Sequence, residues 1–143
     1  VKADSRHSLI IPAAIHDAMV AHCQRESPLE ACGLLGGYDP FVSTFHPLKN
    51  ALASEVRYNA DPRDLIAAVQ QVRLAGKDIL ALYHSHPKWP AIPSKTDLAE
   101  NYDWGPTPRI IVSLLGPTAE VRVWRFHDDS YEELSWRITP GSV

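Results

Sequence analysis

Ile79-Leu80-Ala81-Leu82-Tyr83-His84-Ser85-His86-Pro87 decides how this chain is read. Its first five residues form an unbroken apolar run, as in a strand covered on both faces of a sheet. His84 and His86 follow two residues apart. In extended chain that spacing puts both imidazoles on one face. A rigid central strand would then present a pair of zinc ligands. The proline-rich loop 87–93 comes next, and its turn can bring Asp97 back as a third ligand. Two histidines and one carboxylate leave a fourth position open, as catalytic rather than structural zinc sites do. Zinc there would lower the pKa of a bound water to about 7.

Such a site needs a general base that is not a ligand. Glu30 is a candidate, in Pro28-Leu29-Glu30-Ala31-Cys32-Gly33-Leu34-Leu35. It stands before a glycine-rich strand whose small residues would let the backbone come close to the metal. Spacing alone does not choose it over Glu26 or Glu55. Ser94 offers a hydroxyl to the oxyanion of a tetrahedral intermediate, a contribution of roughly 3 kcal/mol in other oxyanion holes. Ser94-x-x-Asp97 also reads as a helix N-terminus, with Ser94 as cap and Asp97 favoured by the helix dipole. The two readings are compatible. A lone His-x-His pair is a weak signal, but Ser and Asp at these fixed offsets make the pattern specific.

Outward from this stretch, prolines and glycines mark the element edges. Residues 9–11 read as a short strand, with Pro12 at a helix start. Residues 13–25 have helical spacing at Ala14, Ile15, Ala18, Met19 and Cys23, and Ser27-Pro28 ends that helix. Residues 32–38 and 41–46 read as a hairpin across Asp39-Pro40, and 56–59 as another short strand. Asp61-Pro62 opens a second helix with Leu65, Ile66, Val69 and Val72 on one stripe, and Gly76 closes it. Residues 95–102 read as a short helix. Strands 109–115 and 120–126 turn at Gly116-Pro117, and 131–136 adds one more strand. The sum is a single α/β domain over residues 1–143, with helices flanking a mixed, mostly antiparallel sheet.

A chain of 143 residues suits one domain that buries its own core. The net charge is -3 with no basic run, which argues against nucleic-acid or anionic-membrane partners. Cys23 and Cys32 form no CxxC pair and no disulfide framework, so both read as reduced core thiols. No apolar stretch is long enough to span a bilayer, and residues 1–14 lack a signal-peptide layout. Cytoplasmic residence is the resulting expectation. His7, His16, His22, His46 and His127 are scattered and read as surface or core.

The stretch from His84-Ser85-His86 through Ser94 to Asp97 resembles the signature of the JAMM metalloproteases, the zinc-dependent members of the MPN family. Glu30-Ala31-Cys32-Gly33-Leu34-Leu35-Gly36 is similar to the family's glutamate segment, and the resemblance runs from about residue 9 to 126. It implies a cytidine-deaminase-like fold, with His84, His86 and Asp97 holding one zinc per chain. Glu30 would take a proton from the zinc-bound water and pass it to the leaving amine, and Ser94 would stabilise the intermediate. Ser85 would at most brace the ligands. Family members cleave amide or isopeptide bonds after the C-terminal glycines of ubiquitin or ubiquitin-like proteins. Some short prokaryotic forms act on sulfur-carrier proteins, and one group releases cysteine from such a carrier within cysteine biosynthesis.

Only eleven residues (98–108) separate Asp97 from the strand at Arg109, and no Cys/His cluster offers an accessory zinc site. A small ubiquitin-like or sulfur-carrier substrate therefore fits better than a ubiquitin chain. Trp89 either lines a groove for the carrier's extended tail, with strand addition as one mode, or covers its own loop. A non-catalytic MPN-type binding module for ubiquitin-like proteins is the alternative, and the intact ligand set with Glu30 speaks against it. A base deaminase would need His-x-Glu and Pro-Cys-x-x-Cys motifs, and neither occurs.

Overall fold

The structure, a computed structural model, describes residues 8–100 and 104–140. In chain order the elements are β1 (Leu9–Pro12), α1 (Ala13–Glu26), β2 (Cys32–Tyr38), β3 (Phe41–Leu48), α2 (Pro62–Leu74), β4 (Asp78–His86), α3 (Lys95–Ala99), β5 (Arg109–Ser113), β6 (Glu120–Phe126), β7 (Tyr131–Leu134) and β8 (Trp136–Thr139). The apolar run through Tyr83 makes β4 an inner strand of an eight-stranded sheet ordered β7-β6-β5-β4-β2-β3-β1-β8. β4 pairs antiparallel with β2 and parallel with β5. β1 is parallel to both β3 and β8, and the other pairings are antiparallel. The sheet is mixed and mostly antiparallel, as expected.

Alternation along the strands sorts the core into two faces. Leu35, Ala81, Tyr83 and Ile110 pack with Ile15, Met19 and Cys23 of α1. Leu34 and Leu82 point the other way, toward Leu65, Ala68 and Val69 of α2. Ile111 shares that second face, against Ala91 and Leu98. His84 and His86 continue the alternation of Leu82, so the histidine pair lies on the α2 and α3 face.

α2 begins where Asp61 accepts the Asp64 N–H and Pro62 supplies a preset backbone angle. It ends at Gly76, whose φ of 73° is a left-handed value that glycine adopts freely. Its buried stripe runs through Leu65, Ala68, Val69 and Val72, at intervals of three and four. Ile66, expected on that stripe, is turned about 100° away from Leu65 and is 58% exposed.

Three expectations change. Residues 56–59 form no strand; an isolated bridge joins Asn50 to Ala60, and the loop between them is tied by the Asn50 side chain. The stretch 131–136 is not one strand. It breaks at Ser135, β7 pairing with β6 and β8 with β1 at the opposite edge of the sheet. One residue cannot span a flat sheet, so the sheet is curled until its edges meet. The Ser8 N–H donates to the Ser135 carbonyl at that junction. Finally, the β2 glycines serve packing rather than a metal. A Cβ at Gly33 would lie 2.3 Å from the Tyr83 ring, and one at Gly36 would lie 2.6 Å from the Thr44 hydroxyl.

Both cysteines are free and buried. Burial pushes each thiol up to about 12, so both stay protonated. Cys32 faces the carbonyls of Leu48 and Lys49. His22 is buried on Tyr83, while His16 pairs with Asp17 and His127 with Glu132. His7 and the end of the helix expected over 95–102 lie outside the described residues. No helix among the described residues is long and apolar enough to cross a membrane.

Candidate metal centre

β4 presents His84 and His86 at its C-terminal end with a paired strand on each side. Cys32 of β2 and Ile111 of β5 flank His84, and Ser113 of β5 flanks His86. Asp97 arrives from the first turn of α3. There the Ser94 hydroxyl accepts the Asp97 N–H at 3.0 Å, and Asp97 Oδ2 accepts the Ser94 N–H at 2.9 Å. This reciprocal capping box fixes the carboxylate before any metal arrives.

The three side chains converge. Asp97 Oδ1 lies 3.1 Å from His84 Nε2, and Oδ2 lies 3.1 Å from His86 Nε2. The two Nε2 atoms are 3.2 Å apart. Tetrahedral zinc with bonds of ~2.1 Å separates its ligand atoms by about 3.4 Å. The buried set therefore fits such an ion with little adjustment, and its donor chemistry of two imidazoles and a carboxylate suits zinc. His86 Nδ1 donates to the Pro90 carbonyl at 2.8 Å, which turns Nε2 toward the cluster. Burial disfavours charge on Asp97. Electrostatic attraction to His84 and hydrogen bonds from His84, His86 and the Ser94 backbone outweigh it and hold the carboxyl well below the usual range. For His86, burial pushes the ring down, but its bonds to Asp97 and Pro90 win and raise it.

Glu30 is only 2% exposed. Its N–H donates to the Ser54 carbonyl, and its own carbonyl accepts from the Asn50 side chain. Its Oε1 is buried with no hydrogen-bond partner. Burial lifts the carboxyl to about 8; His86 opposes the shift, while Asp97 and Glu100 add to it. The other two candidate bases are elsewhere. Glu26 is exposed at the end of α1, and Glu55 is exposed in an ion pair with Lys88.

Ser85 points to neither ligand. Its hydroxyl accepts the Ala31 N–H, bracing β4 against the Glu30 segment. The 87–93 loop is tied down from beneath: the Ser113 hydroxyl donates to the Trp89 carbonyl, and Trp124 Nε1 donates to the Ala91 carbonyl. The Trp89 ring faces outward, 56% exposed, and does not cover its own loop. A cavity of about 340 Å³ opens beside Asp97, between Leu82 and the Tyr58 and Trp104 side chains. Sequence reasoning did not single out Tyr58, which stacks on the His84 ring, or Asn50. The one available signal was Asn50 itself, a turn-forming residue two positions past the end of β3.

Solved structures place this architecture. A JAB1/MPN domain protein from Archaeoglobus fulgidus superposes with a TM-score of 0.60, covering 92% of this chain and 98% of that one at 16% identity. A protein from Desulfitobacterium hafniense superposes with a TM-score of 0.86 at 30% identity, over 94% of both chains. The fold is that of the JAB/MPN domains. Within that class, the family model for prokaryotic homologs of the JAB domain matches residues 12–137, and the chain belongs to that family.

Its relatives include the desampylase of Haloferax volcanii, 29% identical over 89% of this chain and 94% of that protein. A probable TtuB-protein conjugate cleaving protease of Thermus thermophilus is 40% identical over 64% of this chain. The CysO-cysteine peptidase of Mycobacterium tuberculosis is 35% identical over 63% of it. The chain spans 62% and 63% of the length of these last two.

Proposed function

We propose that the chain is a single-domain, zinc-dependent metallopeptidase. It hydrolyses the amide or isopeptide bond at the C-terminal tail of a ubiquitin-like or sulfur-carrier protein, with release of cysteine from a carrier as one form of the reaction. The observation that carries this is the pairing of a convergent His84, His86 and Asp97 set with a buried Glu30 whose Oε1 has no other partner. A resting structural carboxylate would be hydrogen-bonded. An unpartnered one beside a ligand cluster suits a group that trades protons with substrate.

His84, His86 and Asp97 hold the zinc, one per chain, which when bound supplies Lewis acidity to the scissile carbonyl and to water. Glu30 takes a proton from the attacking water at Oε1 and hands it to the departing amine. The Ser94 hydroxyl spends an acceptor site on the Asp97 N–H and keeps its own proton to donate to the developing oxyanion. Ser85 holds the base and the ligands in register, and Trp89 flanks the substrate tail. The names of the three relatives support a protein-conjugate substrate of this kind. Two free, buried thiols support a reducing, cytoplasmic setting.

The test is hydrolysis of a carrier protein fused through its tail to cysteine, a lysine side chain or a peptide, with the released amine identified by mass spectrometry. One zinc per chain and activity lost on chelation are expected. Undiminished hydrolysis by zinc-free protein would refute the proposal.

A further inference from the structure

The two ligand histidines are held in different ways. His86 is oriented by a hydrogen bond from Nδ1 to the Pro90 carbonyl. His84 has no such bond among the described residues; its hydrogen-bonding contacts run through Nε2 to His86 and Asp97. Its ring lies instead face to face on Tyr58, with centroids 4.7 Å apart and planes within 23°. A stacked neighbour restrains rotation of an imidazole about its own axis, and that rotation decides where the Nε2 lone pair points.

Tyr58 comes from a loop with no strand or helix of its own. One buried side chain organises that loop. Asn50 Nδ2 donates to the carbonyls of Glu30 and Arg57, both at 3.0 Å. Its Oδ1 accepts the N–H groups of Leu52 at 3.1 Å and Asn59 at 3.0 Å. That uses both donors and both lone pairs of the amide. Two of these bonds grip Arg57 and Asn59, the neighbours of Tyr58 on either side. A third grips the residue that supplies the base. The same loop also accepts the Glu30 N–H at the Ser54 carbonyl.

We propose that Tyr58 and Asn50 are positioning residues for the metal centre. Tyr58 fixes the His84 ring as the Pro90 carbonyl fixes His86, and Asn50 clamps the Tyr58 loop to the Glu30 segment. This rests on the reading of His84 as a zinc ligand given above. Neither residue touches the reacting atoms. Each acts through another side chain, so each is legible first in metal affinity and ring order.

The experiment uses the full chain and two readouts. Zinc affinity is measured by competition with a chromogenic chelator. Histidine ring signals are followed by NMR in the metal-free protein. Tyr58→Leu keeps apolar bulk but loses the flat ring, and should weaken zinc binding by about 10-fold or more, the usual cost of removing a ligand-orienting partner. Tyr58→Phe keeps the ring and should stay within about 3-fold of wild type on the same scale. Asn50→Asp keeps both acceptor bonds, loses both donor bonds and should weaken zinc as well. In the metal-free protein the His84 signals should carry the ring-current shift of Tyr58, absent in Tyr58→Leu and reduced in Asn50→Asp.

Variants that melt earlier yet bind zinc as tightly as wild type would show a purely structural role and overturn the proposal. Equal losses in Tyr58→Phe and Tyr58→Leu would also overturn it, since the hydroxyl and not the ring would then matter. A wild-type protein that binds no zinc but shows the shifted His84 signals, lost in Tyr58→Leu, would refute the metal reading while supporting the positioning of this ring.

Discussion

The Ser85 hydroxyl accepts the Ala31 N–H at 2.8 Å, and the Ser85 N–H donates to the Ala31 carbonyl at 3.0 Å. Ser85 sits between the two histidines and Ala31 follows Glu30. This pair of bonds therefore sets the spacing between Glu30 and the histidine pair. Ser85→Ala should leave a buried N–H unsatisfied and cost about 1–3 kcal/mol in chemical denaturation. It should also lower kcat by about 100-fold with zinc retained, since small displacements of reacting groups are costly. Ser85→Thr should restore most of both. Unchanged kcat in Ser85→Ala would show that the register is held by the backbone alone.

Glu30→Gln should abolish most turnover, by about 100-fold or more, without loss of zinc. Metal content by mass spectrometry and kcat on a carrier fusion together check this.

The same substitution has a stability signature in the metal-free protein. Folding lifts the Glu30 carboxyl from 4.5 to about 8. Between those values the folded chain binds the extra proton, so stability falls as pH rises across that window, by at most about 1.4 kcal/mol per pH unit. Glu30→Gln removes this slope. Its thermal midpoint should thus gain on wild type steadily from pH 5 to pH 8. Asp97 acts in another window: its carboxyl is depressed in the folded state, so its contribution is lost only as pH drops below its ordinary 3.8. Parallel midpoints from pH 5 to pH 8 would show that Glu30 is not held in its neutral form.

Ser94 combines a cap with a proposed oxyanion donor, and two substitutions separate them. Ser94→Ala should lose about 1 kcal/mol of stability through the cap. Ser94→Gly should lose only a few tenths by the same measure, because glycine tolerates the N-cap position. Both should lower kcat by about 100-fold through the missing hydroxyl. Equal stability and near-normal kcat in both would leave Ser94 with neither role.

Trp89→Ala should leave the melting temperature close to wild type, since the ring is exposed while its backbone is tied to Ser113. KM for a carrier-tail substrate should rise while kcat changes little. Unchanged kinetics would remove Trp89 from the substrate groove.

The sheet and the convergence of His84, His86 and Asp97 were legible because their signals are local. The apolar run into His84 marks an inner strand, the two-residue spacing puts both rings on one face, and Ser94 with Asp97 writes its own helix start. Glu30 was not separable from Glu26 and Glu55, because burial is a tertiary property. The break at Ser135 depends on β1 being free to pair, some 125 residues earlier in the chain, and nothing near Ser135 announces it. Residues 56–59 depart from the expected strand for a related reason. Its residues favour a strand by type, and a single side chain supplies the hydrogen bonds that a partner strand would have offered.

The bend at Ser135 bears on how an extended tail is read. β7 and β8 are two short halves of one folded ribbon, four residues each, and they stand at the two ends of the strand order; inside them β3 meets β1 only at Phe41, and β6 runs three residues beyond its pairing with β7. β7 also stands three strands from β4, roughly 14 Å at the usual strand spacing, and β8 stands four away. A guest strand docked on β7 or β8 would lie that far from His84 and His86. Lengthening the sheet at β7 or β8 would leave the histidine pair untouched, whereas segments 50–60 and 87–93 stand directly against it, through Tyr58 on His84 and the Pro90 carbonyl on His86. Divergence in those segments can then retune the choice of carrier without disturbing the sheet beneath.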